Sequence, residues 1–210
     1  EGLYEDQKQG EKVKVICTKN NEGFATAGGV QYVACAGNFK DAGLEYTGAL
    51  KVLQMIFSYE YLWIQLRVKG GAYGCMCSFS DQGDSMFVTY RDPNLSESYK
   101  VYDEAADYVA DFDADDRDMK KYIIGTIGSM DMPMEAVDMG ARSFHAYFLG
   151  KTEADLQKVR DQVLSCTQED IRALAPIVKA VVESGNRCCI GNEEKIDQNK
   201  EYFDEVKHVL

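Results

Sequence analysis

From Leu44 to Val68 the apolar residues Leu50, Leu53, Phe57, Tyr61 and Ile64 recur every third or fourth position, and Met55, Ile56 and Trp63 widen that face. This is the period of an α-helix, and so broad an apolar face has to be buried. On both sides the period falls to two. Val13, Val15 and Cys17, then Val30, Tyr32 and Ala34, alternate upstream, and Ala72 to Arg91 alternates around Asp81-Gln82-Gly83-Asp84 downstream. Alternation marks strands with one covered face, and the Asp- and Gly-bearing turn closes a hairpin. A long, mostly buried helix between stretches of strand needs a sheet to cover. The expected fold is therefore an α+β two-layer sandwich, a mostly antiparallel sheet covered by helices.

The punctuation divides the chain further. Asn20, Asn21 and Gly23, then Gly28 and Gly29, break Val13 to Phe39 into two or three strands, and Gly70 and Gly71 stop the long helix. After Asp92-Pro93-Asn94, Ser96 is expected to cap a helix reaching Phe112. Four more helices are expected at about Asp118 to Met130, Met134 to Leu149, Thr152 to Cys166 and Gln168 to Val182, with Thr152 and Thr167 as N-caps. Arg187 to Ile190, between Gly185 and Gly191, suits a strand returning to the sheet, and Glu193 to Tyr202 suits a closing helix. Glu1 stands where an initiator methionine would, and residues 1–12 lack the basic and apolar regions of a signal peptide. They read as a polar entry segment from a larger chain. Residues 13–210 read as one α+β domain with a helix-rich second half at about 115–185.

Charge and cysteine usage narrow the partners. Twenty-three Lys and Arg against 35 Asp and Glu give a net charge of -12, which repels phosphate backbones and disfavours nucleic acid and anionic membrane. No apolar run approaches the ~20 residues that cross a bilayer. Seven cysteines, an odd number, fit neither a disulfide framework nor paired metal knuckles, so a reducing compartment is expected. Cytoplasm is preferred, and an organelle matrix is also compatible. Cys75 and Cys77 share one face of a strand, but two ligands are short of a metal site, and both read as core residues.

Histidine is scarce: only His145 and His208 occur. Catalytic zinc takes three protein ligands, often two histidines one helical turn apart, with a glutamate as general base; neither H-x-x-E-H nor H-E-x-x-H is present. G-x-S-x-G is absent too. His145 reads as a core or interface histidine, and no metal or cofactor is expected in this chain. The run Lys69-Gly70-Gly71-Ala72-Tyr73-Gly74 follows a helix and opens a strand, the reverse of a phosphate loop, so it lacks the anion-attracting helix N-terminus. It does put Arg67 in a last helical turn and Tyr73 at the start of a strand, close enough to meet at one rim of the sheet. Arginine near a helix C-terminus and tyrosine in a strand are also ordinary placements.

The run Tyr61-Leu62-Trp63-Ile64-Gln65-Leu66-Arg67-Val68-Lys69-Gly70-Gly71-Ala72-Tyr73-Gly74 resembles a signature in the C-terminal half of the pitrilysin and insulinase superfamily of inverzincin metalloproteases, most closely its presequence-protease and falcilysin subgroup. Gly48-Ala49-Leu50-Lys51-Val52-Leu53, Tyr90-Arg91-Asp92-Pro93-Asn94, Ile123-Ile124-Gly125-Thr126-Ile127 and Asp131-Met132-Pro133 agree in the same order. The resemblance covers most of residues 13 to 192. It implies the fourth of four related α+β domains, in a chain whose two halves close a chamber around unfolded peptide substrates. Zinc then belongs to the absent N-terminal half of the same polypeptide. Arg67 and Tyr73 match the pair that reaches across to the distant zinc site, for substrate binding and oxyanion stabilisation. The fragment is expected to be inactive alone, as part of a zinc metalloendopeptidase. The alternative is a catalytically inactive structural or assembly domain of the same superfamily.

Overall fold

The computed structural model describes residues 21–209; the polar entry segment and the alternation at Val13 to Cys17 lie outside the described residues. Strand β1 (Glu22–Thr26) and strand β2 (Tyr32–Asn38) lead into helix α1 (Ala49–Tyr59), then β3 (Gly74–Phe79) and β4 (Asp84–Tyr90) form the hairpin. Helices α2 (Ser96–Asp103), α3 (Ala105–Ala110), α4 (Asp116–Met130), α5 (Ala136–Phe148), α6 (Glu153–Leu164), α7 (Gln168–Arg172) and α8 (Ala175–Glu183) follow. Strand β5 (Asn186–Asn192), helix α9 (Glu193–Gln198) and strand β6 (Glu205–His208) close the chain.

The six strands order as β3-β4-β2-β5-β1-β6. The pairs β3–β4, β4–β2 and β2–β5 are antiparallel, whereas β1 runs parallel to both β5 and β6. A parallel pair needs a crossover, and the helices between β1 and β5 supply it on one face of the sheet. The core lies between those layers: Val33 and Cys35 of β2, Cys77 and Phe79 of β3 and Phe87 of β4 point inward against Leu53, Ile56 and Phe57 of α1. Phe57 meets Tyr61, Phe79, Phe87 and Tyr108 at ring separations of 5.8 to 6.4 Å, the offset and edge contacts that aromatic quadrupoles favour. Tyr102, wholly enclosed, donates its hydroxyl to the Val33 carbonyl at 3.1 Å.

Among the described residues, no helix layer covers the opposite face of the sheet. Register places Met76 beside Val88, Val88 beside Ala34, and Tyr32 beside Ile190 on that face, and Tyr32, Met76, Met86, Tyr90 and Ile190 all remain exposed.

Several elements differ from the sequence expectation, each for a local reason. The helix expected from Leu44 to Val68 starts at Ala49, where Gly48 lets the α6 backbone come close: a side chain at Gly48 would meet the Val159 carbonyl. Past Tyr59 it re-forms as a π-helix, Trp63–Lys69, with Gly70 N donating to the Gln65 carbonyl at 3.0 Å, five residues back. Ser96 does not cap α2. Its hydroxyl donates to Glu97 at 3.1 Å, while Leu95 holds the cap position without a side-chain bond. The helix expected through Phe112 breaks into α2 and α3 at Glu104. Gln168 to Val182 is likewise two helices, since Pro176 opens α8 and lacks the N–H to continue α7. Thr152 and Thr167 do cap their helices, each in a reciprocal box with Asp155 and Asp170. Strand β6 was not read from the sequence.

Candidate active-site residues

Arg67 and Tyr73 meet at the rim where the π-helix delivers the chain to β3. The wider π-turn sets Arg67 above Trp63, and its guanidinium lies 4.0 Å from the centre of the indole ring. Gly70 then turns the chain: any side chain there would lie 2.6 Å from the Leu66 carbonyl oxygen. Gly71 follows with φ +80°, the left-handed backbone glycine takes at little cost. The turn is braced from outside, because Asn94 Nδ2 donates to the Gly70 carbonyl at 2.6 Å. Asn94 is itself fixed by Asp92, whose Oδ1 accepts the Asn94 N–H at 2.9 Å and whose Oδ2 accepts Ser98 Oγ at 2.6 Å. The wholly buried Asp92 also exchanges both backbone hydrogen bonds with Gln31. This is what the Tyr90-Arg91-Asp92-Pro93-Asn94 run does: it locks the loop that carries Arg67 to Tyr73.

Tyr73 stands clear of the fold at 66 % exposure. Its ring is held edge-on by Tyr90 at 5.8 Å, and Tyr90 is held by Tyr32 at 5.4 Å. Two guanidiniums flank the ring, Arg67 and Arg91, each 6.0 Å from its centre. Among the described residues the Tyr73 hydroxyl has no hydrogen-bond partner, and Arg67 makes no ion pair. A phenol O–H donor and a planar cation thus face outward together, a pair suited to gripping a carbonyl or carboxylate brought from outside. Burial pushes the Cys75 thiol up, against the opposing pull of Arg67 nearby.

Arg91 was not singled out from sequence as a site residue. It sits opposite Tyr73 because Gly74 pairs with Tyr90, a register that sequence alone does not fix, and its φ of +50° is the sole left-handed non-glycine backbone among the described residues. A non-glycine residue in that region carries strain that surrounding structure must hold, here the Asp92 lock.

Among the described residues no group of three or more His, Cys, Asp or Glu side chains is arranged to hold a metal ion. His145 shares a groove with Lys51, Arg142 and Lys151, surroundings that repel a cation, and His208 has Glu193 as its ion-pair partner at 3.3 Å. Also among the described residues, no helix is long and apolar enough to cross a membrane.

Solved structures with the same architecture include the peptidase M16 inactive domain from Pseudomonas fluorescens, with a TM-score of 0.59 at 14% identity over 85% of this chain and 45% of that one. A protease from Helicobacter pylori aligns with a TM-score of 0.58 at 15% identity, over 85% of this chain and 48% of that one. The chain belongs to the family of PreP C-terminal domains, whose family model matches residues 21–192. Relatives are Protein HypA of Clostridium perfringens, 43% identical over 192 residues, and presequence protease 1, chloroplastic/mitochondrial, of Arabidopsis thaliana, 34% identical over 194. The matches take in 91% and 90% of this chain but only 20% and 18% of those proteins, so the chain spans about a fifth of their length.

Proposed function

We propose that this domain closes the chamber of a peptide-degrading zinc metalloendopeptidase and lends it Arg67 and Tyr73, with zinc and the water-activating residues in the absent N-terminal half of the same polypeptide. In this reading residues 13–210 form one domain that is inactive alone, and its substrates are unfolded peptides. A reducing compartment, cytoplasm or organelle matrix, is supported by six free cysteines among the described residues. The observation that carries the reading is the outward-facing pair. A tyrosine hydroxyl exposed at a braced rim with no protein partner among the described residues, beside an arginine anchored on an indole ring rather than on a carboxylate, leaves both polar groups available to a ligand from outside.

The chemistry divides between them. As water adds to the scissile carbonyl, charge gathers on its oxygen, and the Tyr73 O–H donates a hydrogen bond that strengthens with that charge. The Arg67 fork binds peptide carbonyl or carboxylate oxygens in ground state and transition state alike. In the full-length enzyme, Tyr73→Phe therefore lowers kcat on the order of 10²-fold with KM nearly unchanged. Arg67→Ala raises KM as well as lowering kcat. Equal effects of both variants on KM alone, or none, would leave the alternative, a catalytically inactive structural domain.

A further inference from the structure

Among the described residues, helix α5 is the α-helix of the helical half that contributes nothing to the core. Its 13 residues include none that is buried. Phe144, Tyr147 and Phe148 stand 64, 81 and 70 % exposed, and their ring contacts are with one another, Phe144 to Phe148 at 4.6 Å and Tyr147 edge-on to Phe148 at 6.0 Å. Between α5 and the body of the domain runs a groove of about 520 Å³, floored by Phe79 and by Met130, Met132 and Met134 of the segment entering α5.

The groove's charge is opposite to that of the chain. Lys51, Arg142, His145 and Lys151 line it against a single carboxylate, Asp81, which pairs with Lys151. Among the described residues Lys51 has no carboxylate partner, and the side-chain hydrogen bond of Arg142 goes to the Met134 sulfur at 3.9 Å. Burial and the neighbouring Arg142 hold the Lys51 ammonium below the usual lysine range, and burial with Lys51 and Lys40 does the same at Lys151. Two cations without a carboxylate partner among the described residues, lining one groove with three methionines in a chain of net charge -12, are complementary to a carboxylate borne on an apolar body.

We infer that this groove and the outer face of α5 together seat a carboxylate-bearing, apolar segment of the same polypeptide from outside this domain, with Lys51 and Arg142 taking the carboxylate and Phe144 and Phe148 the apolar contact. The source of the occupant follows from length: the chain accounts for about a fifth of its curated relatives, leaving ample polypeptide to cover α5 permanently. A helix whose inner side borders an unfilled cationic groove and whose outer side carries bare aromatics is held from both sides only by such a neighbour. The inference rests on the reading of the domain as part of a larger peptidase, but not on any role for Tyr73.

Hydrogen exchange on the full-length protein, followed by mass spectrometry over residues 132–149, tests it. Without added peptide and at any protein concentration, α5 should exchange slowly. Arg142→Glu, at an exposed position that leaves the core intact, should speed exchange in α5 at least about tenfold while α4 is unchanged, and Lys51→Arg should keep the protection. Wild-type α5 exchanging as fast as in Arg142→Glu would overturn the inference. So would protection that grows with protein concentration, which marks a second copy, or protection that appears only with added peptide, which marks a substrate site. Turnover of Tyr73→Phe is independent of this readout, so either idea can fail alone.

Discussion

At the scale of single residues, the site depends on what holds Arg67 and Tyr73 without using up their polar groups. Trp63 anchors the guanidinium by its ring face, so that among the described residues none of its five N–H donors is taken up, and Tyr90 anchors the phenol by its edge. Trp63→Ala should release Arg67 to solvent and raise KM by roughly 3- to 30-fold, the range of one cation–π contact, with circular dichroism unchanged. A KM equal to wild type would show that Arg67 needs no anchor. The cysteines report on the core instead. Burial pushes Cys35 up to about 11 and Cys166 and Cys189 up to about 12, from an ordinary value of 9.0. The unfolded chain releases these protons first, so the stability tied to them is intact below about pH 9 and is lost as pH rises from there through the folded values. Urea midpoints at pH 7.5 and 10.5 should show a clear fall, and a rise would contradict the assignment. Arg67 and Tyr73 were legible because six positions and two glycines bring them together whatever the rest of the fold does. Arg91 was not, since its place opposite Tyr73 depends on the β3–β4 register.

At the scale of elements, local chemistry was readable wherever a few adjacent residues decide the outcome. The Thr152–Asp155 and Thr167–Asp170 boxes are complete within four residues each. Thr152→Ala or Thr167→Ala should each cost about 1 kcal/mol in urea unfolding; no loss would show the caps are redundant. Tertiary contacts decided the rest. The long helix keeps its apolar period through Ile64 but not its hydrogen-bond period, because the chain has to reach the Gly70 turn with Arg67 over Trp63. Gly70→Ala puts a methyl against the Leu66 carbonyl and should destabilise the fold by about 1–3 kcal/mol while also displacing Tyr73. Strand β6 escaped notice because only Val206 is even half-buried, so no alternation marks it. The break between α7 and α8 was signalled by Pro176, inside a run apolar enough to pass for one helix.

At the scale of the whole molecule, the sheet has one face filled by helices and one that no described element covers, and the Arg67–Tyr73 rim lies at an edge of that sheet. In the readings proposed above, the polar groups at the rim take a substrate and the apolar ones of α5 take a neighbouring segment of the same polypeptide. The sandwich class followed from the change of hydrophobic period, whereas the parallel pairing of β1 with β5 and β6 could not, because partners more than 160 residues apart leave no local mark. The central claim is that the Tyr73 hydroxyl acts in the transition state of peptide hydrolysis. Single-turnover cleavage by the full-length enzyme, with metal content matched between wild type and Tyr73→Phe, isolates that step from binding and from closure. The account predicts a cleavage rate lower by about 10²-fold at saturating peptide, with unchanged affinity. A Tyr73→Phe enzyme that cleaves at the wild-type rate would contradict it and reduce Tyr73 to an exposed residue at the sheet's edge.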